Sequence, residues 1–219
     1  MSCVIVDIDD TVLDTTRRMQ AIWREVLGRE VPIEIIESMG LRQIFEVYAT
    51  SHQLERVREH QTRFFRLLLC EEDLGFKFAQ LDEAIPYAAE TVNAWARDSH
   101  IVYLTGRTEN TRNQTLEALR LHGFPSGDSD LFMISAEDWS SGRAVEARQA
   151  MLSDVVKRYD VARVVDDYPG YFTMYADVGI PDRIGLLKPM YPRDAYMEKG
   201  ATRVVASWRV LLDEETSST

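Results

Sequence analysis

Residues 3–16 read CVIVDIDDTVLDTT, and the placement of the rest of the chain follows from what this stretch requires. Cys3, Val4, Ile5 and Val6 make an apolar, mostly β-branched run, the pattern of a strand buried on both faces of a parallel sheet. Asp7, Asp9 and Asp10 follow at once. Carboxylates crowded at the end of a buried strand repel one another and lose hydration, so they require a cation, a proton or several donors nearby. The plainer alternative is an acidic turn, because Asp is a common turn residue. What the other strand ends supply separates the two.

Working outward, the pattern turns helical after Thr16 and stays so to about residue 80. Met19, Ile22, Trp23, Val26 and Leu27 share one face of a helix that Gly28 ends. Pro32 suits the first turn of a second helix carrying Ile35, Ile36 and Met39, and Gly40 interrupts before Leu41, Ile44, Phe45 and Tyr48. A further helix is predicted over residues 51–70, with Leu54, Val57, Phe64, Phe65 and Leu68 inward. The reading is an all-helical cap, residues 16–80, inserted into a core made of residues 1–15 and 81–219. Segments near 14–17 and 80–84 are the expected hinges.

From Leu81 onward strands alternate with helices. Pro86 is expected to open a helix with Ala89, Val92 and Ala96 inward, and residues 101–104 form a second buried strand ending at Thr105, Gly106 and Arg107. A helix from about residue 108 runs to Gly123, a third strand covers 131–134, and a helix covers 141–159. The fourth strand, 161–165, ends at Asp166 and Asp167; a fifth lies near 183–187, and a last helix starts near 207. The polar tail from Glu214 is expected to fray. This alternation predicts an α/β fold, a Rossmann-like parallel sheet with helices on both faces. Such a sheet lines up its strand carboxyl ends along one edge, where ligands bind. Asp7 with Asp9, Thr105 with Gly106, and Asp166 with Asp167 would therefore meet, which favours a built site over three unrelated turns.

Composition narrows the partners. The formal net charge of −11 argues against polymeric nucleic acid, whose binders need a basic face. Two cysteines, Cys3 and Cys70, are too few for a disulfide framework or a cysteine zinc site and read as buried hydrophobes. With aspartates where a signal peptide needs a basic region, and with no apolar run of membrane-spanning length, the chain reads as cytoplasmic.

Asp7-Ile8-Asp9-Asp10-Thr11 resembles the D-x-D-x-T motif of the haloacid dehalogenase-like hydrolases, most of them magnesium-dependent phosphatases. Residues 101–105 resemble that family's second motif, an apolar strand ending in Thr or Ser, and Val164-Val165-Asp166-Asp167 its fourth, an apolar strand ending in paired acids. The likeness covers the α/β part of the chain; the helical insert matches a cap in position and not in sequence. Gly179-Ile180-Pro181 and Lys188-Pro189 are similar to nucleotidase-like members. The resemblance implies that Asp7 is the nucleophile forming an aspartyl-phosphate and that Asp9 is the acid and base. It implies Mg2+ held by Asp7, the Asp9 carbonyl, Asp166 and its neighbour Asp167. Thr105, Gly106 and Arg107 would then hold phosphoryl oxygens. Asp10 receives no catalytic role.

The third motif departs from the family, which places a Lys on the helix before the fourth strand. Lys157 lies about 14 residues along that helix, roughly 21 Å from its start at 1.5 Å per residue, too far from the site. Arg148 is one to two turns in, on the stripe of Val145, Leu152, Val155 and Tyr159 that faces the sheet. A charge there needs an anionic partner, so Arg148 is expected to replace the Lys, with Arg143 as second choice. An Arg merely covering the helix surface with its stem is the alternative.

Arg17, Arg18 and Arg42 are candidates for a second anionic group of the substrate, against a simply solvated face. Thr15 and Thr16 could equally cap the first insert helix. His52, His60 and His122 have no second ligand at metal spacing. The expectation is a Mg2+-dependent phosphomonoesterase acting on a small soluble phosphorylated metabolite, a nucleotide or sugar phosphate. A phosphotransferase or mutase using the same intermediate, and a catalytically silent phosphate- or metal-binding module, are the alternatives.

Overall fold

A computed structural model describes residues 2–127 and 130–217. The chain forms two units, Met1–Leu13 with Ala84–Thr219, and Asp14–Glu83. The strands in chain order are β1 (Ser2–Val6), β2 (Leu13–Asp14), β3 (Glu83–Ala84), β4 (Ser99–Thr108), β5 (Leu131–Ile134), β6 (Asp160–Asp166), β7 (Asp182–Leu186) and β8 (Arg203–Val205). Six of them form one sheet in the order β5-β4-β1-β6-β7-β8, every neighbouring pair parallel. The two-residue strands β2 and β3 pair where the chain leaves and re-enters the first unit.

The unit Asp14–Glu83 is built from α1 (Thr16–Leu27), α2 (Ile33–Ser38), α3 (Leu41–Tyr48), α4 (Ser51–Glu55), α5 (Val57–Leu68) and α6 (Asp73–Ala79). Its core gathers Ile22, Trp23, Val26, Ile44, Phe45, Phe64 and Leu67. The Trp23 ring lies 4.4 Å from Phe64 and 4.9 Å from Phe45. Gly28 ends α1 with a left-handed φ of 67°, as its lack of a Cβ allows. The single helix expected over 51–70 is two. Thr50 and Gln53 cap each other at the start of α4, Arg56 leaves helical geometry, and Leu54, read as inward, is exposed.

In the first unit the sheet is covered on both sides, and β1 shows why its sequence is continuously apolar. Val4 and Val6 face a layer built by Ala88, Val92 and Trp95 of α7 (Ala88–Trp95), Leu116 and Leu119 of α8 (Arg112–Leu121), and Trp208 and Leu211 of α13 (Trp208–Ser217). Cys3 and Ile5 face the other layer, with Leu152 and Val155 of α10 (Ala144–Arg158), Phe172 and Tyr175 of α11 (Phe172–Asp177), and Tyr196 of α12 (Arg193–Glu198). Alternate residues of one strand thus enter two cores.

Several boundaries differ from the sequence reading. Helix α7 begins after Tyr87, whose φ is 67°, and its fully inward stripe is Ala88, Val92 and Trp95, with the expected Ala89 and Ala96 partly buried against the same core. Strand β4 runs on to Thr108, past Thr105. The helix expected over 141–159 is α10, which starts at Ala144 and follows a separate short α9 (Ala136–Ser140), and Val145 in the first turn of α10 is exposed. Strand β8 and helices α11 and α12 are additional, too short for periodicity to register. The tail from Glu214 is helical to Ser217, and residues 218 and 219 lie outside the described residues.

From β1 the chain places β4 and β5 on one side and β6, β7 and β8 on the other, so the order reverses between β1 and β6. Crevices at such a reversal are where open α/β sheets bind ligands. Val6 pairs with Val165, so Asp7 and Asp166 leave the two strands at the same level, on either side of that point.

Candidate active site

The turn after β1 is closed by its own backbone. The Ile8 carbonyl accepts from the amides of Thr11, Val12 and Leu13 at 3.3, 2.9 and 3.0 Å, and the Asp10 amide donates to Leu13 at 2.7 Å. Asp10 has φ 58°, a left-handed conformation that Asp tolerates better than most residues. Asp10, without a catalytic assignment from its sequence, therefore has a backbone one. Thr11 is fully buried; its hydroxyl donates to Asp167 Oδ1 and accepts from the Asp167 amide, both at 3.1 Å. Its carbonyl takes the Trp208 indole N–H at 2.6 Å. Thr11 thus fastens the turn to the end of β6.

Arg148 lies in the second turn of α10, on the same buried stripe as Leu152 and Val155. Its side chain is 1% exposed, and Nη2 lies 2.9 Å from Asp7 Oδ1 and 2.7 Å from Asp166 Oδ2. Nη2 has two N–H bonds, one for each carboxylate. The nearby Tyr175 hydroxyl, 2.9 Å from Nη2, is free to give its own proton to Asp166 Oδ2 at 2.7 Å. The guanidinium carbon sits 4.1 Å above the Tyr171 ring, a cation–π seat that a planar cation fills well. Nε and Nη1 are buried with no partner among the described residues.

Asp7, Asp166 and Asp167 bring carboxylate oxygens within 4.8 Å of one another. Burial pushes the Asp7 carboxyl well above the usual carboxylate range, Asp166 adds to this, and Arg148 opposes it. Burial likewise raises Asp167 well above that range, aided by Asp166, Asp7 and Asp10 and opposed by Lys188. Asp166 is raised by burial against Arg148, the Tyr175 hydroxyl and the Tyr168 amide. Such crowding of hard oxygen donors fits a divalent cation such as Mg2+, whose charge would offset the repulsion.

Asp9 is partly exposed and gripped by Arg107. Nη2 of Arg107 is 2.7 Å from Asp9 Oδ1, and Nε lies 3.1 and 3.2 Å from the two oxygens. Thr105 is 1% exposed, and its hydroxyl accepts from the Arg107 amide at 3.2 Å. Gly106 lies between them, partly exposed.

No family model matches the chain. A Bacillus cereus protein named "Putative nucleotidase" is 25% identical over 127 residues, a match spanning 58% of this chain and 61% of that relative's length. A haloacid dehalogenase-like family hydrolase from Streptococcus pneumoniae superposes with a TM-score of 0.62 at 13% identity, covering 98% of both chains. A HAD family hydrolase from Deinococcus radiodurans, solved with bound phosphate and sodium, superposes with a TM-score of 0.58 at 19% identity, covering 99% of this chain and 96% of that one. The fold is that of the haloacid dehalogenase-like hydrolases.

On this haloacid dehalogenase-like fold the structure joins Asp7, Arg148 and Asp166 by direct contacts, and Asp9 with Arg107. Arg143 is half exposed and donates to Asp138 at 2.9 Å, away from those contacts. In the helical unit, Arg18 is buried and ion-paired with Asp82 at 3.2 Å, and Arg17 pairs with Glu83 at 2.9 Å on the surface. Three tyrosines, Tyr171, Tyr175 and Tyr196, were not singled out from the sequence, and Lys188 was named there only for its likeness to nucleotidase-like members. Tyr171 and Tyr175 hold Arg148. The buried Tyr196 hydroxyl donates to the Asp167 carbonyl at 2.7 Å, and Lys188 acts on the Asp167 carboxylate. Tyrosines scattered over short helices carry no spacing signal.

Proposed function

We propose that this protein is a Mg2+-dependent phosphomonoesterase of the haloacid dehalogenase-like type, acting on a small phosphorylated metabolite through an aspartyl-phosphate on Asp7. The observation that carries the reading is Arg148: a buried guanidinium bridging Asp7 and Asp166 at the sheet's reversal point, with Nε and Nη1 still to be used. A buried cation with spare donors beside a carboxylate nucleophile suits the three charged oxygens of a phosphoryl group. The B. cereus relative's name and the phosphate held by the D. radiodurans neighbour agree with that chemistry.

In this reading an Asp7 carboxylate oxygen attacks phosphorus, and the new P–O bond forms as the bond to the leaving oxygen breaks. Asp9 gives that oxygen its proton, then takes a proton from the water that attacks phosphorus and frees Asp7. Its ion pair with Arg107 must open for this, and incoming phosphoryl oxygens compete for the same guanidinium. The Thr105 hydroxyl and the amide of the partly exposed Gly106 would bind phosphoryl oxygens as well. Asp7, Asp166 and Asp167, with the Asp9 carbonyl, would hold Mg2+, which when bound neutralises charge on the phosphoryl group.

The test is hydrolysis of para-nitrophenyl phosphate by the purified protein, with a screen of phosphorylated metabolites alongside. Turnover that requires Mg2+, stops in EDTA and releases inorganic phosphate without an added acceptor supports hydrolysis. Undiminished turnover in EDTA, or by Asp7→Asn, would sink the mechanism.

A further inference from the structure

Beside the site, the loops after β6 and β7 bring two tyrosine rings together. Tyr168 follows Asp167 directly, and its amide donates to Asp166 Oδ1 at 2.8 Å, which fixes its backbone to the reaction centre. Its ring lies across Gly170: a Cβ there would come within 2.4 Å of it, so any other residue at 170 would push the ring out of this position. Tyr171 meets the ring at 4.9 Å between centroids and 74°, and Tyr191 at 5.8 Å and 67°. Tyr171 carries Arg148 on its face. The rings therefore form a line from the buried guanidinium outward to Tyr168, which is 43% exposed although neighbours hold it in place.

We infer that Tyr168, braced by Tyr191 and Tyr171, is a stacking subsite for a planar ring on the leaving group, which makes a nucleoside monophosphate the preferred substrate class over a sugar phosphate. The inference rests on the phosphomonoesterase reading and adds to it the choice of leaving group. An exposed aromatic ring already immobilised by its neighbours loses little freedom when a second ring stacks on it, so more of the contact appears as binding. The phosphoryl end is anchored by Arg148 and Thr105. A ring on Tyr168 would fix the other end and orient the ester for Asp7.

The experiment compares kcat/KM for adenosine 5′-monophosphate and ribose 5-phosphate, which carry the same phosphorylated carbon and differ in the base, with para-nitrophenyl phosphate as the common reference. The wild-type protein is expected to favour the nucleotide by about tenfold or more, and Tyr168→Leu to lower that ratio about tenfold. Tyr168→Phe keeps the ring and is expected to keep the ratio within about twofold. If Tyr168→Leu does not fold, Tyr191→Leu removes the brace and is expected to lower the ratio in the same direction. Turnover of para-nitrophenyl phosphate with no preference for the nucleotide, or a ratio unmoved by Leu at 168, overturns the subsite and leaves the phosphomonoesterase reading standing. No turnover of any of the three overturns both.

Discussion

At the amino end of the sheet Arg163 donates to Asp182 at 2.8 Å and to Glu215 at 3.1 Å, and Arg203 pairs with Asp182 and Glu214 at 3.2 and 2.6 Å. At the carboxyl end the buried Arg148 meets both Asp7 and Asp166, with Asp167 close by. The two clusters use the same residue types. The first alternates cation and anion in partial contact with water. Burial alone would raise the Asp182 carboxyl, but hydrogen bonds from Arg203 and Arg163 hold it below the usual range. The second buries more carboxylates than cations and leaves its carboxyls raised. Two arginines shared among three carboxylates near solvent tie β6, β7, β8 and α13 together. Unbalanced charge out of solvent is expensive unless a ligand completes it, which is how the functional end is told from the structural one.

Substitutions can break this contrast, and the largest effect belongs to Asp7, the proposed nucleophile. Asp7→Asn is expected to lower kcat on para-nitrophenyl phosphate by about 10⁴-fold or more, while Asp182→Asn stays within about twofold. Comparable losses in both would erase the distinction. Next in size, Arg148→Ala should cost about 10²- to 10³-fold in kcat. Arg148→Lys should restore only part of it, since an ammonium cannot present a planar fork to two carboxylates or fill the Tyr171 seat equally well. Near-wild-type turnover in Arg148→Ala with a large loss in Arg143→Ala would move the role to Arg143.

Stability sharpens the same comparison. Mg2+ at 100 times its dissociation constant is expected to stabilise the fold by about 2.7 kcal/mol, read as a rise in Tm that a variant lacking Asp166 does not show. Without metal, the raised carboxyls at the carboxyl end hold protons that the unfolded chain has already released above about pH 4. The folded state then binds more protons, so metal-free stability should fall as pH rises from there, by up to about 1.4 kcal/mol per pH unit for each proton. A metal-free Tm that climbs over the same range would contradict the raised carboxyls. Smallest of all, Asp182→Asn should cost about 1 kcal/mol or less by chemical denaturation, because its partners are partly solvated.

The α/β core was legible because its signals are local. Mostly apolar runs of four or five residues ending in Asp or Thr marked β1, β4 and β6, and one stripe on α10 marked Arg148. Weaker signals failed where the elements are short: three-residue β8 has no period to detect, and six-residue α11 hid Tyr175. In the helical unit, apolar spacing identified helices but misjudged the break at Arg56, and Leu54 faces solvent as a result.

By itself the sequence determined the order of strands and helices and which residues stand at strand ends, because burial on two faces demands continuous apolar runs and crowded acids demand a reason. Tertiary structure alone decided the pairings. It fixed that Arg148 reaches both Asp7 and Asp166, that Arg107 grips Asp9, and that Tyr168 rests on Gly170 beside Tyr191. Those contacts join residues up to 141 positions apart, and only the packed sheet brings them within hydrogen-bond reach.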